Sequence, residues 1–198
     1  MGREAGPAPG HLRRRGEALV RCRVVDAYDS LVEQLALKEQ AQAALQALMD
    51  AGPAATPAVR RGLRHDEPIV RVRCCMVLDH HLDEAAIPEL IANLDHPEGR
   101  VRAWALHALA CEQCKEGECG PAEDEVVPIA LRMLREDRSR KVRTMAASML
   151  GFVAHRRKDV ARALEAARDG DPHPVVRQVA GWYAPGGQVY RRLAQAAS

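Results

Sequence analysis

Between residues 17 and 50 the chain holds neither proline nor glycine, and apolar side chains return at helical spacing. Leu19, Cys22, Val25, Tyr28, Leu31, Val32 and Leu35 make one stripe; Ala41, Ala44, Leu45, Leu48 and Met49 make another. A period near 3.6 without a breaker predicts two amphipathic helices, parted near residues 36–39 and stopped by Gly52-Pro53. Further on, short amphipathic segments over residues 57–64, 84–94, 123–135 and 159–168 each run into a tight turn and a second helix.

These second helices share a signature. Val-Arg recurs at Val72-Arg73, Val101-Arg102, Val142-Arg143 and Val176-Arg177, each valine five or six residues after an aspartate: Asp66, Asp95, Asp137 and Asp171. Proline stands between them at Pro68, Pro97 and Pro172, and Met76, Ala105, Ala146 and Ala180 follow the valine by four. The valine-to-valine intervals are 29, 41 and 34 residues. One helix pair cannot bury its apolar face alone, so neighbouring units stack into a continuous core. Each aspartate suits a helix N-terminus, where free N–H groups favour an anion. Each arginine is placed to reach the aspartate of an adjacent unit.

This pattern resembles the HEAT repeat, in particular the short bacterial form also seen in phycobilisome-lyase-type proteins, over about residues 53–184. The resemblance implies an α-solenoid, a right-handed superhelix of about four helix pairs with an N-terminal helical extension. It also implies that the Asp–Arg positions form a structural ladder rather than a phosphate-binding stripe. Met76, where alanine is usual, and the long second interval depart from the pattern. The expected organisation is a disordered basic arm (1–15), N-terminal helices packing on the solenoid (16–52), repeats over 53–82, 83–120, 121–156 and 157–184, and a capping segment (185–198).

Composition supports the helical reading and limits the function. Only six residues are aromatic, too few for the pleated faces of a large sandwich or barrel. The formal charge of +2 gives no bulk pull toward nucleic acid. Arginine supplies 25 of the 29 basic residues, as coding in a GC-rich bacterial genome does. No apolar run of about 18 residues occurs, and the N-terminus lacks a signal-peptide core. A cytoplasmic protein with reduced thiols is expected.

The extra residues of the long interval carry clustered ligand-type side chains. His107, Cys111 and Cys114 share a helical stripe about 60° wide, and Gly117 lets the chain turn back toward Cys119. One imidazole and three thiolates, with a Cys-x2-Cys bite, suit a tetrahedral zinc whose closed shell is structural. Free thiols, an iron–sulfur cluster or a redox dithiol are the alternatives. Cys74-Cys75 reads as core, Asp79-His80-His81 as a helix end, and Trp182-Tyr183 as closure of the core.

The function this supports is a non-enzymatic scaffold that binds an unidentified protein or peptide, without a membrane. DNA binding is the alternative, with residues 138–143 and 155–158 as phosphate contacts; it requires those patches to line one face. An accessory or bilin-lyase-type enzyme is a further alternative. Deoxyhypusine hydroxylase, a HEAT-like enzyme, takes iron on His-Glu pairs, and none occurs here: His65 precedes Asp66 and His81 precedes Leu82.

Overall fold

The computed structural model describes residues 27–110 and 123–197, and every regular element among them is helical. The described part of α1 covers residues 27–34. There follow α2 (Ala41–Ala51), α3 (Thr56–Gly62), α4 (Pro68–His80), α5 (Ile87–Asn93) and α6 (Gly99–Ala110). The second half holds α7 (Glu123–Glu136), α8 (Arg140–Gly151), α9 (Lys158–Gly170), α10 (Pro174–Tyr183) and α11 (Gln188–Ala196). No helix among the described residues is long and apolar enough to cross a membrane.

The helices form two layers of an α-solenoid. In the inner layer α4 packs on α6, α6 on α8 and α8 on α10; α3, α5, α7 and α9 each cover one inner helix from outside. At the ends, α2 packs against α4 and α11 against α10. One buried cluster runs from Val32 to Ala184, with a leucine such as Leu63, Leu78, Leu106, Leu134 or Leu150 fully enclosed in successive helices. Small residues set the spacing: a Cβ on Gly62 would lie 2.4 Å from Cys74 Sγ, and one on Gly151 would lie 2.0 Å from the Tyr183 ring.

The turns into the inner helices follow one plan. A side-chain acceptor takes the N–H two residues on: His65 Nδ1 from Glu67 (2.9 Å), His96 Nδ1 from Glu98 (3.0 Å), Asp137 Oδ1 from Ser139 (2.7 Å) and Asp171 Oδ1 from His173 (2.8 Å). Six residues after each acceptor an arginine reaches back to that residue's carbonyl. Arg71 Nε donates to His65 O at 2.6 Å, and Arg102 Nη1 to His96 O at 2.7 Å. Arg143 Nη1 donates to Asp137 O at 2.8 Å, and Arg177 Nη1 to Asp171 O at 2.7 Å.

This geometry corrects the sequence register in the first two units. The acceptors are His65 and His96, not Asp66 and Asp95, and the first arginine is Arg71, not Arg73. Asp66 is exposed and has no hydrogen-bond or ion-pair partner among the described residues. Asp95 lies on the surface, 3.6 Å from Arg132, and Arg73 donates to Leu35 O. Five residues separate acceptor and valine in all four units once Val70 is taken as the first valine. Cys74 then occupies the small position held elsewhere by Ala105, Ala146 and Ala180, all fully buried. The Met76 departure was a consequence of the misplaced register.

The same guanidinium groups link successive units. Arg102 grips Asp137 through two bonds of 2.8 Å, and Arg143 grips Asp171 through bonds of 2.7 and 3.0 Å. Each aspartate therefore caps its own helix and neutralises the preceding arginine. Burial opposes the charge on Asp137 and Asp171, but the arginine and N–H bonds outweigh it and hold both carboxyls below their ordinary range. Arg71 meets His96 in register rather than a carboxylate, and its Nη1 donates to Asn93 Oδ1 at 3.2 Å. Asn93 is buried and in turn donates to Leu63 O and Glu89 O.

His96 is neutral by requirement, because its Nδ1 must keep a lone pair for the Glu98 N–H. Burial and then the Arg71 charge push its pKa down, with Arg102 adding to the effect. A depressed imidazole pKa means the unfolded chain takes up the proton first. The stability from this contact is complete above the ordinary histidine value of about 6.5 and declines as pH falls below it.

Two measurements check the ladder. In urea unfolding, Asp171→Ala should cost on the order of 3 kcal/mol, because it strands the buried Arg143 charge. Asp29→Ala, at the exposed 2.7 Å pair with Arg61, should cost less than about 1 kcal/mol. Equal costs would show that the ladder does not hold the stack. In thermal unfolding followed against pH, His96→Asp should flatten the decline below about pH 6.5; parallel wild-type and variant profiles would count against it.

Candidate functional site

The inner helices leave one arc uncovered. With Val70, Val101, Val142 and Val176 as origin, the positions one before, three after and six after fall at about 260°, 300° and 240°. On α4 these are Ile69, Arg73 and Met76; on α6, Arg100, Trp104 and His107. On α8 they are Lys141, Met145 and Ser148; on α10, Val175, Val179 and Trp182. All but Val179 are partly or fully exposed, and Val175 and Trp182 are each 40% exposed.

No carboxylate lies on this arc. The only acidic residue of α4, α6, α8 and α10 is Asp79, and it is buried. Acidic side chains belong instead to the outer layer: Glu89 on α5, Glu123, Asp124, Glu125 and Glu136 on α7, Asp159, Glu165 and Asp169 on α9. The outer helices α5, α7 and α9 place acids in their first turns, as the helix dipole favours, whereas α3 and the four inner helices have none there.

The two basic patches differ. In residues 155–158, Arg156 pairs with Glu123, and Arg157 with Glu123, Asp124 and Asp159. Both arginines of that patch are held by the protein's own carboxylates, while Lys158 stays exposed. In residues 138–143, Arg143 belongs to the ladder and Arg138 donates to Pro97 O at 2.8 Å. Arg140 and Lys141 remain exposed, with no carboxylate partner among the described residues.

Of the expected metal ligands, His107 lies on α6, while Cys111, Cys114 and Cys119 lie outside the described residues. His107 Nδ1 is 3.0 Å from Asp79 Oδ1, and neither buried atom has a well-directed hydrogen-bond partner. The His107 ring also sits against Trp104, with centroids 5.2 Å apart. Sequence reasoning missed the Asp79–His107 pair because its members sit on different helices of successive units. Among the described residues no group of three or more His, Cys, Asp or Glu side chains could hold a metal.

The Asp79-His80-His81 run diverges. Asp79 turns inward, His80 is exposed, and His81 Nε2 lies 3.1 Å from Met49 O. Cys74 and Cys75 are fully buried; burial pushes Cys75 up to about 12 and Cys74 well above its ordinary value, so both stay protonated. Trp182 and Tyr183 also part company. Tyr183 packs against Phe152 at 5.8 Å and helps close the core, while Trp182 stands in solvent.

Residues 28–110 match the HEAT repeats family. The match takes in α1 and α2, which the sequence pattern had set apart as an extension. No curated protein matches the chain. Among solved structures, human deoxyhypusine hydroxylase in complex with glycerol is similar at 17% identity and a TM-score of 0.39, covering 91% of this chain and 99% of that one. Residues 28–110 thus carry HEAT repeats, and the same helix pair recurs through α10 in one α-solenoid.

Proposed function

We propose that the protein is a non-enzymatic scaffold that binds a protein or peptide segment across α4, α6, α8 and α10. The observation that carries this reading is the exposed arc, where both tryptophans of the chain stand with Met76, Met145 and Val175. Trp and Met at a surface supply contact area without a cleft, and a stack of parallel helices presents that area as one continuous strip. The DNA reading is weaker, since Arg156 and Arg157 of the 155–158 patch are held by Glu123, Asp124 and Asp159. The test is affinity capture from the source cells with quantitative mass spectrometry. Partners should be lost with Trp104→Ala/Trp182→Ala and kept with Glu165→Ala on the outer layer. Retention by the tryptophan variant removes the reading.

The second repeat carries a further proposal, a structural zinc on His107, Cys111, Cys114 and Cys119. Its support is chemical: a carboxylate beside Nδ1 of His107 leaves Nε2 as the nitrogen with the free lone pair. Purified chain should contain one zinc, lost in Cys111→Ser/Cys114→Ser with a lower thermal midpoint. A metal-free chain of unchanged midpoint would sink it.

A further inference from the structure

Taking the scaffold reading as its basis, we propose that the bound segment is acidic and carries apolar anchors, with Arg100 and Lys141 as the specificity-determining cations. It is the acids of this protein that are segregated: the outer helices carry cations too, but the inner helices have no exposed carboxylate. The net value is only +2, yet the exposed arc of the inner layer has cations and no carboxylate while the outer helices α5, α7 and α9 carry the acids.

The cations stand where the fold itself disfavours them. Arg100 is the second residue of α6, and Arg140 and Lys141 are the first two of α8. A positive side chain at a helix N-terminus opposes the helix dipole; no acid stands in either first turn, and the carboxylate that caps α8, Asp137, is already committed to Arg102. These residues hold no ladder position: Arg102 and Arg143 already serve Asp137 and Asp171. An anionic partner would neutralise cations that have no carboxylate partner among the described residues.

Spacing gives the partner its form. Trp104 follows Arg100 by four residues and Met145 follows Lys141 by four, so an apolar contact lies about 6 Å along the helix from each cation. Packed helices lie roughly 8–10 Å apart, and an extended chain advances about 3.3 Å per residue. Carboxylates about three residues apart would therefore meet Arg100 and Lys141 together. On α4 and α10 the equivalent positions are Ile69 and Val175. The cationic row is thus two helices wide and flanked by apolar ends, which suits a short acidic segment better than a continuous phosphate backbone.

The test selects a random peptide library on the full-length chain. Peptides that emerge are titrated through the fluorescence of Trp104 and Trp182, the two tryptophans of the protein. Acidic peptides with apolar residues should be enriched. Their affinity should fall with salt and drop about tenfold or more in Arg100→Glu/Lys141→Glu. That variant should fold normally, since both side chains are exposed and the new charges suit the helix ends. Acidic peptides that bind it as tightly as wild type overturn the assignment. Enrichment of neutral or basic peptides overturns the acidic chemistry while leaving the scaffold standing. A single-stranded oligonucleotide that binds more tightly than any selected peptide gives the face to nucleic acid. No enrichment of any peptide removes this proposal and the scaffold reading together.

Discussion

An arginine that closes the turn before its own helix and reaches on to the next unit is the contact on which the stack depends. In one residue it satisfies a buried carbonyl, as Arg143 does for Asp137, and holds the aspartate of the following turn, Asp171. A guanidinium is suited to this because its donors diverge in one plane, so one edge takes a carboxylate with two bonds while Nη1 serves a carbonyl. Such a buried pair is no guarantee of net stability against an apolar replacement. What it does fix is angle and register, since both partners must arrive together or leave a charge buried.

The ladder is not uniform, and its variation follows from which acceptor stands at the turn. Aspartate at 137 and 171 can cap a helix and accept an arginine at once. Histidine at 65 and 96 uses its Nδ1 lone pair for the cap. Arg71 therefore turns to the buried Asn93. The N-terminal half is held by neutral acceptors and the C-terminal half by carboxylates. Commitment of the ladder arginines also bears on function, because it leaves Arg100, Arg140 and Lys141 as the exposed cations of the inner helices α6 and α8, with no carboxylate partner among the described residues.

Much of this architecture was legible along the chain. Helical apolar spacing, the recurrent Val-Arg and the prolines at the turns led to stacked helix pairs, and Arg102, Asp137, Arg143 and Asp171 stand at the positions that spacing picked out. The first two units differ from that spacing because His65-Asp66 and Asp95-His96 put an aspartate beside the true acceptor, and a one-residue shift of the acceptor cannot be seen in composition. Chemistry alone does not exclude imidazole as a cap, and only the position of the Glu67 and Glu98 N–H groups does the choosing.

The candidate face divides in the same way. That α4, α6, α8 and α10 lack acids outside Asp79 is a property of the sequence, as is the period that puts Arg100, Trp104 and His107 on one side of a helix. Which arc of each helix would stay open was decided by packing: the outer helices and neighbouring inner helices cover three sides, and solvent takes the fourth. Packing also put Asp79 against His107 across two units and closed Arg156 and Arg157 onto α7. Local sequence determines periodicity because backbone geometry is local. Charge pairing and exposure depend on residues some thirty positions away, and only the stacked fold brings those together.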